Sequence, residues 1–353
     1  MELTLERVAQ RARERTGLFL TERDVERALS ALLASDDIWK VVDLSDVPVM
    51  ALCGILEALR EEGLAEVGEG RISLTERGRR LCKDLSIPAA REFKCPSCGG
   101  RGTALGPVEE VRESFLRIAR TRPEAVQEFD QGYVTEETTL HRVAFMWQRG
   151  DLEGKEVIFL GDDDLVSVAA ALTRAPKRVV ALDIDDRLVD FIKEVSDSEG
   201  LGIEVVKHDL REPMPEDLVG RFDTFFTDPT ESLKGFKAFV ERGLLCLKGP
   251  GCAGYFGLTR REASLRKWGE IQRFLYEAGA VVTDLRDDFN DYVNWPYIES
   301  MRSWSHLPAR RVPGPREVWY RSALFRVEVV EGPRAENRRF EGDIFEDEEA
   351  ATT

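Results

Sequence analysis

Several absences narrow the reading before any motif is considered. No run of roughly eighteen apolar residues occurs, so no membrane-spanning helix is expected. The opening "MELTLERVAQRARERTG" is charged throughout and has no apolar secretion core, which points to a cytoplasmic protein. Six cysteines among 353 residues are too few for a disulfide scaffold. Positive charge is also short: 50 Lys and Arg face 66 Asp and Glu, a net charge of −16. Nucleic-acid binders need a positive face toward phosphate, so this balance argues against nucleic acid and favours cationic small partners. Glycines are missing where a nucleotide-binding turn would carry them, in "VIFLGDDDLVSVAAAL" at residues 157–172.

The 42% hydrophobic content suits a folded chain, and the length suits two or three domains. Abundant Glu, Arg and Val with few Gln and Asn lean toward a thermophile. Residues 1–90 read as helices followed by a hairpin, a winged-helix-like unit. They hold 13 cations against 17 acids, and Glu57, Glu61 and Glu62 surround Arg60 on the presumed recognition helix. Dimerisation or covering a substrate therefore fits this unit better than reading DNA. Residues 91–150 read as a connector and helical linker. In it, Cys95 and Cys98 of "KCPSCGGRG" have the spacing of half a zinc knuckle. Cys82 could add a third thiolate, but no fourth ligand follows, and a disulfide or two plain thiols fit equally well. "DQGYVT" (130–135) suits a loop facing a site or an ordinary surface turn.

From residue 151 to 332 short apolar strands alternate with amphipathic helices, which predicts an α/β fold with a mostly parallel, doubly wound sheet. The last two strands should pair at an edge around a long insertion. Residues 333–353 read as a flexible acidic tail, since 341–353 carry six acids and no base.

Ligands in such sheets bind at the carboxyl ends of the strands. Four ends stand out: Gly161 with Asp162, Asp163 and Asp164; Asp183 with Asp185; His208-Asp209; and Thr227-Asp228-Pro229-Thr230-Glu231. Asp183 and Asp185 lie about twenty residues past Gly161, the distance at which an acid commonly holds ribose hydroxyls. Asp185 could equally cap a helix. Asp209 could accept from an adenine amino group. These spacings resemble the adenosine pocket of S-adenosylmethionine-dependent methyltransferases, so the fold reads as Rossmann-like, of the class I methyltransferase type.

The first turn departs from that pattern. Aspartates beside the carboxylate of S-adenosylmethionine would add repulsion of about 1 kcal/mol per close pair in water, and about 4 at an effective dielectric of 20. Decarboxylated S-adenosylmethionine carries an ammonium and a sulfonium, and the sign reverses. Capping alone explains one acid near a helix N-terminus, not three in a row. "FFTDPTES" is similar to the Asp-Pro loop with which amino-methyltransferases present a nitrogen, but no aromatic follows, which suits an aliphatic amine. Asp287, Asp288, Asp291 and Glu299 lie near Tyr292, Trp295, Tyr297 and Trp304, a mixture that suits a flexible polycation or a covering loop with its own aromatic core.

With these residues assembled, the chain resembles the branched-chain polyamine synthases of heat-loving prokaryotes, the N(4)-bis(aminopropyl)spermidine synthase family. "GDDDLVS" (161–167) and "FFTDP" (225–229) carry the resemblance; the family continues the second as Asp-Pro-Pro-Glu, where this chain has Thr230 and keeps Glu231. The resemblance implies aminopropyl transfer from decarboxylated S-adenosylmethionine, as co-substrate with no tightly bound cofactor, to the central amine of spermidine. It implies donor contacts at Asp162 or Asp163, ribose at Asp183 and Asp185, and adenine at Asp209. Asp228, Pro229 and Glu231 would hold spermidine, aided by Asp288, Tyr292 and Trp295, with Asp164 or Asp228 taking its proton. Expected partners are polycationic amines and a second copy of the chain, without nucleic acid or membrane. Two alternatives stay open: an amino-methyltransferase acting on nucleic acid, which should show a basic face, and a polyamine-binding regulator, which would release no methylthioadenosine.

Overall fold

The computed structural model describes residues 4–352 except 69, 294, 295, 310 and 311. The N-terminal unit opens with α1 (Leu5–Thr16), whose first turn is capped by the Thr4 hydroxyl. A reciprocal Thr21–Asp24 capping box starts α2 (Glu22–Ala34), and the Asp37 carboxylate caps α3 (Ile38–Ser45). The apolar helix α4 (Val49–Glu61) is buried along most of its length. An antiparallel hairpin follows, β1 (Ala65–Val67) and β2 (Ile72–Leu74), then α5 (Glu76–Asp84). Helices and a hairpin appear where the sequence pattern predicts them.

After the irregular segment 88–104 come α6 (Arg112–Ala119) and α7 (Glu136–Gln148). The sheet is then laid down as β3 (Glu156–Leu160), β4 (Arg178–Asp183), β5 (Glu204–Lys207), β6 (Thr224–Thr227), β7 (Ala253–Leu258), β8 (Ala280–Asp291) and β9 (Arg321–Val329). Between the strands run α8 (Val166–Leu172), α9 (Asp186–Ser198), α10 (Leu233–Cys246), α11 (Leu265–Glu277) and the short α12 (Arg302–His306). The strand order is β5-β4-β3-β6-β7-β9-β8; the first five are parallel and β9 runs antiparallel between β7 and β8. This is the class I methyltransferase arrangement. Chain order reverses at β3, which lies between β4 and β6, so a crevice opens at the carboxyl ends of these strands. No described helix is long and apolar enough to cross a membrane.

Two expectations need correction, and an open one is narrowed. The helices read as a linker are part of the core around the sheet: Val108, Phe115, Leu140, Val143 and Phe145 bury against Val157, Phe159 and Ala181. Periodicity reports an apolar face but not the surface that covers it. The acidic tail is docked, not loose. Phe340, Ile344, Ala350 and Ala351 are buried, and two of the tail's acids reach partners on distant elements: Glu349 accepts from Ser264 N at 2.6 Å and Asp347 from Lys267 Nζ at 3.0 Å. Interspersed apolar residues and cations supplied by distant helices outweigh the tail's self-repulsion. The aromatics of the insertion between β8 and β9 mostly serve packing: Trp304 stacks on Trp39 at 5.9 Å, and Trp319 meets the same ring at 4.6 Å. The N-terminal core and the insertion thus form one hydrophobic cluster.

Candidate active site

The strand ends border a cavity of roughly 940 Å³, counting its mouth. Asp130, Asp163, Asp183, Asp209, Asp228 and Glu231 line it, and no lysine or arginine among the described residues does. Apolar walls come from Leu182, Ile184, Leu210 and Phe239, and the docked tail adds Ile344, Phe345 and Thr352. Gly161 follows β3 at φ +68°, a conformation that strains other residues, and a Cβ there would meet Phe239 at 3.2 Å.

The three consecutive aspartates divide their work. Asp162 is buried; its carboxylate takes the Ser167 amide at 3.2 Å and the Ser167 hydroxyl, capping the start of α8. Asp164 accepts from the Val134 amide at 2.7 Å and ion-pairs with Arg142. Only Asp163 lines the cavity, and its carboxylate takes no hydrogen bond from a described residue. The expectation that Asp162 or Asp164 meets substrate is therefore corrected: amides and a buried cation already occupy them. Burial pushes Asp162 up to about 7, helped by the charges of Asp183 and Asp164 against the Ser167 hydrogen bonds. Burial, then Asp164, Asp183 and Asp228, hold Asp163 well above the usual carboxylate range.

The β4 pair separates as well. Asp183 lines the cavity, its two oxygens oriented by the amides of Asp162 and Asp185 at 2.9 Å each, and burial raises it despite those amides. Asp185 is absent from the lining. It caps α9 through the Arg187 amide at 2.9 Å and accepts Gln131 Nε2 at 3.0 Å. Burial opposes its ionisation, yet the Arg187 and Gln131 hydrogen bonds hold it below its ordinary value. Of its two readings, the cap is the one seen. Asp209 lines the cavity inside the Arg211 fork, with contacts of 2.9 and 2.7 Å, and these outweigh burial to lower it. Beside it, His208 Nε2 is buried without a hydrogen-bond partner among the described residues.

On the Asp-Pro loop, Asp228 Oδ2 receives Arg142 and Tyr292 Oη, the latter at 2.8 Å. Its Oδ1 lies so close to β7 that a Cβ on Gly257 would meet it at 2.1 Å. Burial raises Asp228 against the pull of Arg142. Pro229 and Glu231 line the cavity as expected, and the Glu231 carboxylate, like that of Asp163, accepts from no described residue. Burial first, then Glu262, Asp130 and Asp228, raise it far above its ordinary value. Tyr292 lines the cavity. Asp288 does not; it pairs with Arg261 at 3.3 Å near the N-terminal unit, which corrects the expectation that it holds substrate. Trp295 lies outside the described residues. Cys95 and Cys98 are free thiols, and Cys82 is buried in the N-terminal core rather than joining them.

Sequence reasoning missed Arg142, and of Asp130 it named only the loop, 130–135, as one that could face a site. Arg142, fully buried on α7, joins Asp164 to Asp228 and donates Nε to Asn290 at 2.8 Å. An arginine one turn from apolar neighbours in "TTLHRVAFMW" was the available signal. Asp130 lines the cavity and is pushed up to about 8 by burial and by Glu262 and Glu346, against its Thr230 hydrogen bond.

Residues 110–352 match the model of the branched-chain polyamine synthase A C-terminal domain. The chain belongs to the branched-chain polyamine synthase family. Among its synthase relatives, the N(4)-bis(aminopropyl)spermidine synthase of Thermus thermophilus is 53% identical over 349 residues, 98% of each chain. That of Thermococcus kodakarensis is 45% identical over 354 residues, 98% of this chain and 99% of the relative. The branched-chain polyamine synthase from Thermus thermophilus, solved with N4-aminopropylspermidine and 5′-methylthioadenosine, superposes with a TM-score of 0.93. It is 52% identical and covers 99% of this chain and 98% of its own. Those two ligands, one polycationic and one an adenosine thioether, are the kinds of group that an acid-lined crevice with apolar walls suits.

Proposed function

We propose that the chain transfers aminopropyl groups from decarboxylated S-adenosylmethionine to the central secondary amine of spermidine. The products are N(4)-aminopropylspermidine, then N(4)-bis(aminopropyl)spermidine, with methylthioadenosine released each time. The carrying observation is a cavity with six carboxyl groups and, among the described residues, no lysine or arginine, where two of those carboxylates accept no hydrogen bond from a described residue. Donor and acceptor are both cations, and only such a lining offsets their mutual repulsion.

In this reading Asp183, fixed by two amides, receives the ribose hydroxyls. Leu182, Ile184 and Leu210 pack the adenine, and the unpartnered His208 Nε2 meets its edge. Asp163 and Glu231 face the cationic chains. The amine nitrogen attacks the methylene carbon attached to sulfur. As the N–C bond forms, the C–S bond breaks and its electron pair neutralises the sulfonium, leaving methylthioadenosine. Asp163 is the best acceptor of the nitrogen's proton, because Asp228 Oδ2 already accepts from Arg142 and Tyr292 and Asp164 is sealed behind Arg142. An amine gripped only by carboxylates would stay protonated, so a base with a raised pKa resolves that tension at the attacked nitrogen. After the first transfer the nitrogen is tertiary. A second attack yields a quaternary centre with no proton to lose, so base catalysis matters most for freeing the first lone pair. In-line alignment of nitrogen, carbon and sulfur supplies the rest of the acceleration. The N-terminal unit, read as winged-helix-like, braces the insertion that carries Tyr292, and the reaction is placed in the cytoplasm.

The test is mass spectrometry of spermidine incubated with either S-adenosylmethionine or its decarboxylated form. Aminopropyl mass increments from the decarboxylated donor alone, with methylthioadenosine, are expected. Methylation from the intact donor would overturn the reading, and binding without product would leave a regulator.

A further inference from the structure

Asp163 reaches the cavity from a turn that is held from outside the sheet. Arg122, just past α6, donates Nη1 to the Asp163 carbonyl at 3.2 Å. The Thr139 hydroxyl on α7 donates to the Asp164 carbonyl at 3.1 Å, and the Val134 amide donates to the Asp164 carboxylate at 2.7 Å. Leu165 follows at φ +56°, a left-handed conformation that a bulky side chain keeps only where its surroundings impose it. The aim of Asp163 is therefore set by these contacts and not by the turn's own preference.

Arg122 differs from the other groups that hold this turn because it is charged. Its guanidinium lies over the Tyr133 ring, 3.6 Å from the centroid, and no carboxylate pairs with it among the described residues. Tyr133 in turn donates its hydroxyl to the Pro123 carbonyl. These contacts fasten both ends of the segment that carries Phe129, Asp130, Gln131 and Gly132 along the cavity. Asp164, Asp183 and Asp228 add to burial in raising the proton affinity of Asp163, and Arg122 opposes them. The phenols of Tyr133 and Tyr297 lie within electrostatic reach of the same carboxyl, and burial keeps both neutral. Arg142 shows the alternative use of a cation: it ion-pairs with Asp164 and Asp228 and occupies their oxygens. Arg122 sits instead on a main-chain carbonyl, which leaves the carboxylate of Asp163 open to the amine.

We propose that Arg122 is the positioning residue of the proton acceptor: it clamps the Asp163 backbone and supplies the positive charge that lets this carboxyl lose its proton among three other acids. This role rests on the aminopropyl reading, with Asp163 as the base. A general base works only in its ionised form, so a carboxyl surrounded by acids needs a cation close by. Taking that cation away raises the carboxyl's proton affinity further. The acid limb of the pH–rate profile then moves to higher pH, with rate lost below the limb and kept above it.

The experiment is the pH profile of kcat for the first aminopropyl transfer, measured on the full chain with saturating spermidine and decarboxylated S-adenosylmethionine. Arg122→Met should move the acid limb up by about one pH unit, roughly a tenfold loss below it, with methylthioadenosine affinity unchanged by calorimetry. Arg122→Gln can still donate to the Asp163 carbonyl but has no charge, and should shift the limb as Met does. Arg122→Lys keeps the charge but not the planar stack on Tyr133, and should hold the limb near the parent's with a lower plateau. A limb that stays in place in Arg122→Gln, or moves as far in Arg122→Lys, would overturn the assignment, and this pair decides it even where the Met variant fails to fold. Asp163→Asn separates the two possible failures. A limb lost there but unmoved in Arg122→Gln strikes only the role of Arg122, whereas a limb unchanged in Asp163→Asn overturns Asp163 as the base and Arg122 with it.

Discussion

The cavity holds its negative charge in two places that are built differently. At the strand ends, Asp163, Asp183 and Asp228 act on one another and are backed by fixed partners: two amides behind Asp183, and Arg142 behind Asp228 and Asp164. Farther out, Asp130 and Glu231 act on each other and on Glu262, and line the cavity together with residues of the docked tail. Lys267 moderates Glu231, whereas a fully buried guanidinium sits within the first group. The first group is therefore a rigid, charge-balanced frame from which one carboxylate projects. The second is a concentration of unbalanced acids waiting for a cation. The comparison suggests that the first serves the reacting centre and the second a distant ammonium of the acceptor.

The largest expected effect tests the projecting carboxylate. Asp163→Asn should lower kcat by about 10²–10⁴-fold with methylthioadenosine binding retained, as steady-state rates and calorimetry would show. An equal loss of methylthioadenosine affinity would mean that Asp163 is a binding group only. Next, Arg142→Met should destabilise the fold by about 3–5 kcal/mol, because it strands two buried carboxylates. Chemical denaturation measures this, and a change below about 1 kcal/mol would show that Asp164 and Asp228 simply take up protons. The outer group gives a smaller effect. Asp130→Asn should raise KM for spermidine by roughly tenfold, about 1.4 kcal/mol, with kcat nearly kept. A fall in kcat at constant KM would place Asp130 at the reacting nitrogen instead.

The pH dependence sharpens the same contrast. Asp162 and Asp130 titrate near 7 and 8 in the folded chain, against about 4 when unfolded. Between those values the folded state holds more protons, so stability is fullest below about pH 4 on this account and falls as pH rises through 7 to 8. Other carboxylates lose pairing in acid, so the window to examine is pH 6 to 8.5. The melting temperature of the free protein should fall across it, and saturating spermidine should flatten the slope. A slope unchanged by spermidine would remove the outer acids from the binding site. The smallest effect is the control. Asp288→Asn, which breaks a partly exposed pair with Arg261, should leave rates within about twofold.

Much of the inner group was legible in the sequence. "GDDDLVS" and "FFTDP" lie where strands end, and the period of apolar residues located those ends. What the pattern could not assign was the division of labour within Asp162, Asp163 and Asp164. Adjacent side chains at a turn point in different directions, and only the surroundings reveal which meets an amide, which a guanidinium and which the cavity. Asp185 was left open between a cap and a ribose ligand and Asp288 was misjudged, both because a carboxylate's availability depends on its neighbours, here Arg187 and Arg261. The tail was misjudged from composition alone, because Lys267 and Ser264 lie far from it in sequence.

By itself the sequence determined the alternation of strands and helices, the acidic strand ends and the overall deficit of cations, since each follows from local periodicity and composition. Tertiary structure alone decided that Arg142 lies between Asp164 and Asp228, that Asp130 joins Glu231, and that the tail completes the cavity wall. These features depend on which distant residues share a low-dielectric space. There a neighbour a few ångströms away, and not the side chain's own chemistry, sets whether a carboxyl is a cap, a counter-ion or a base.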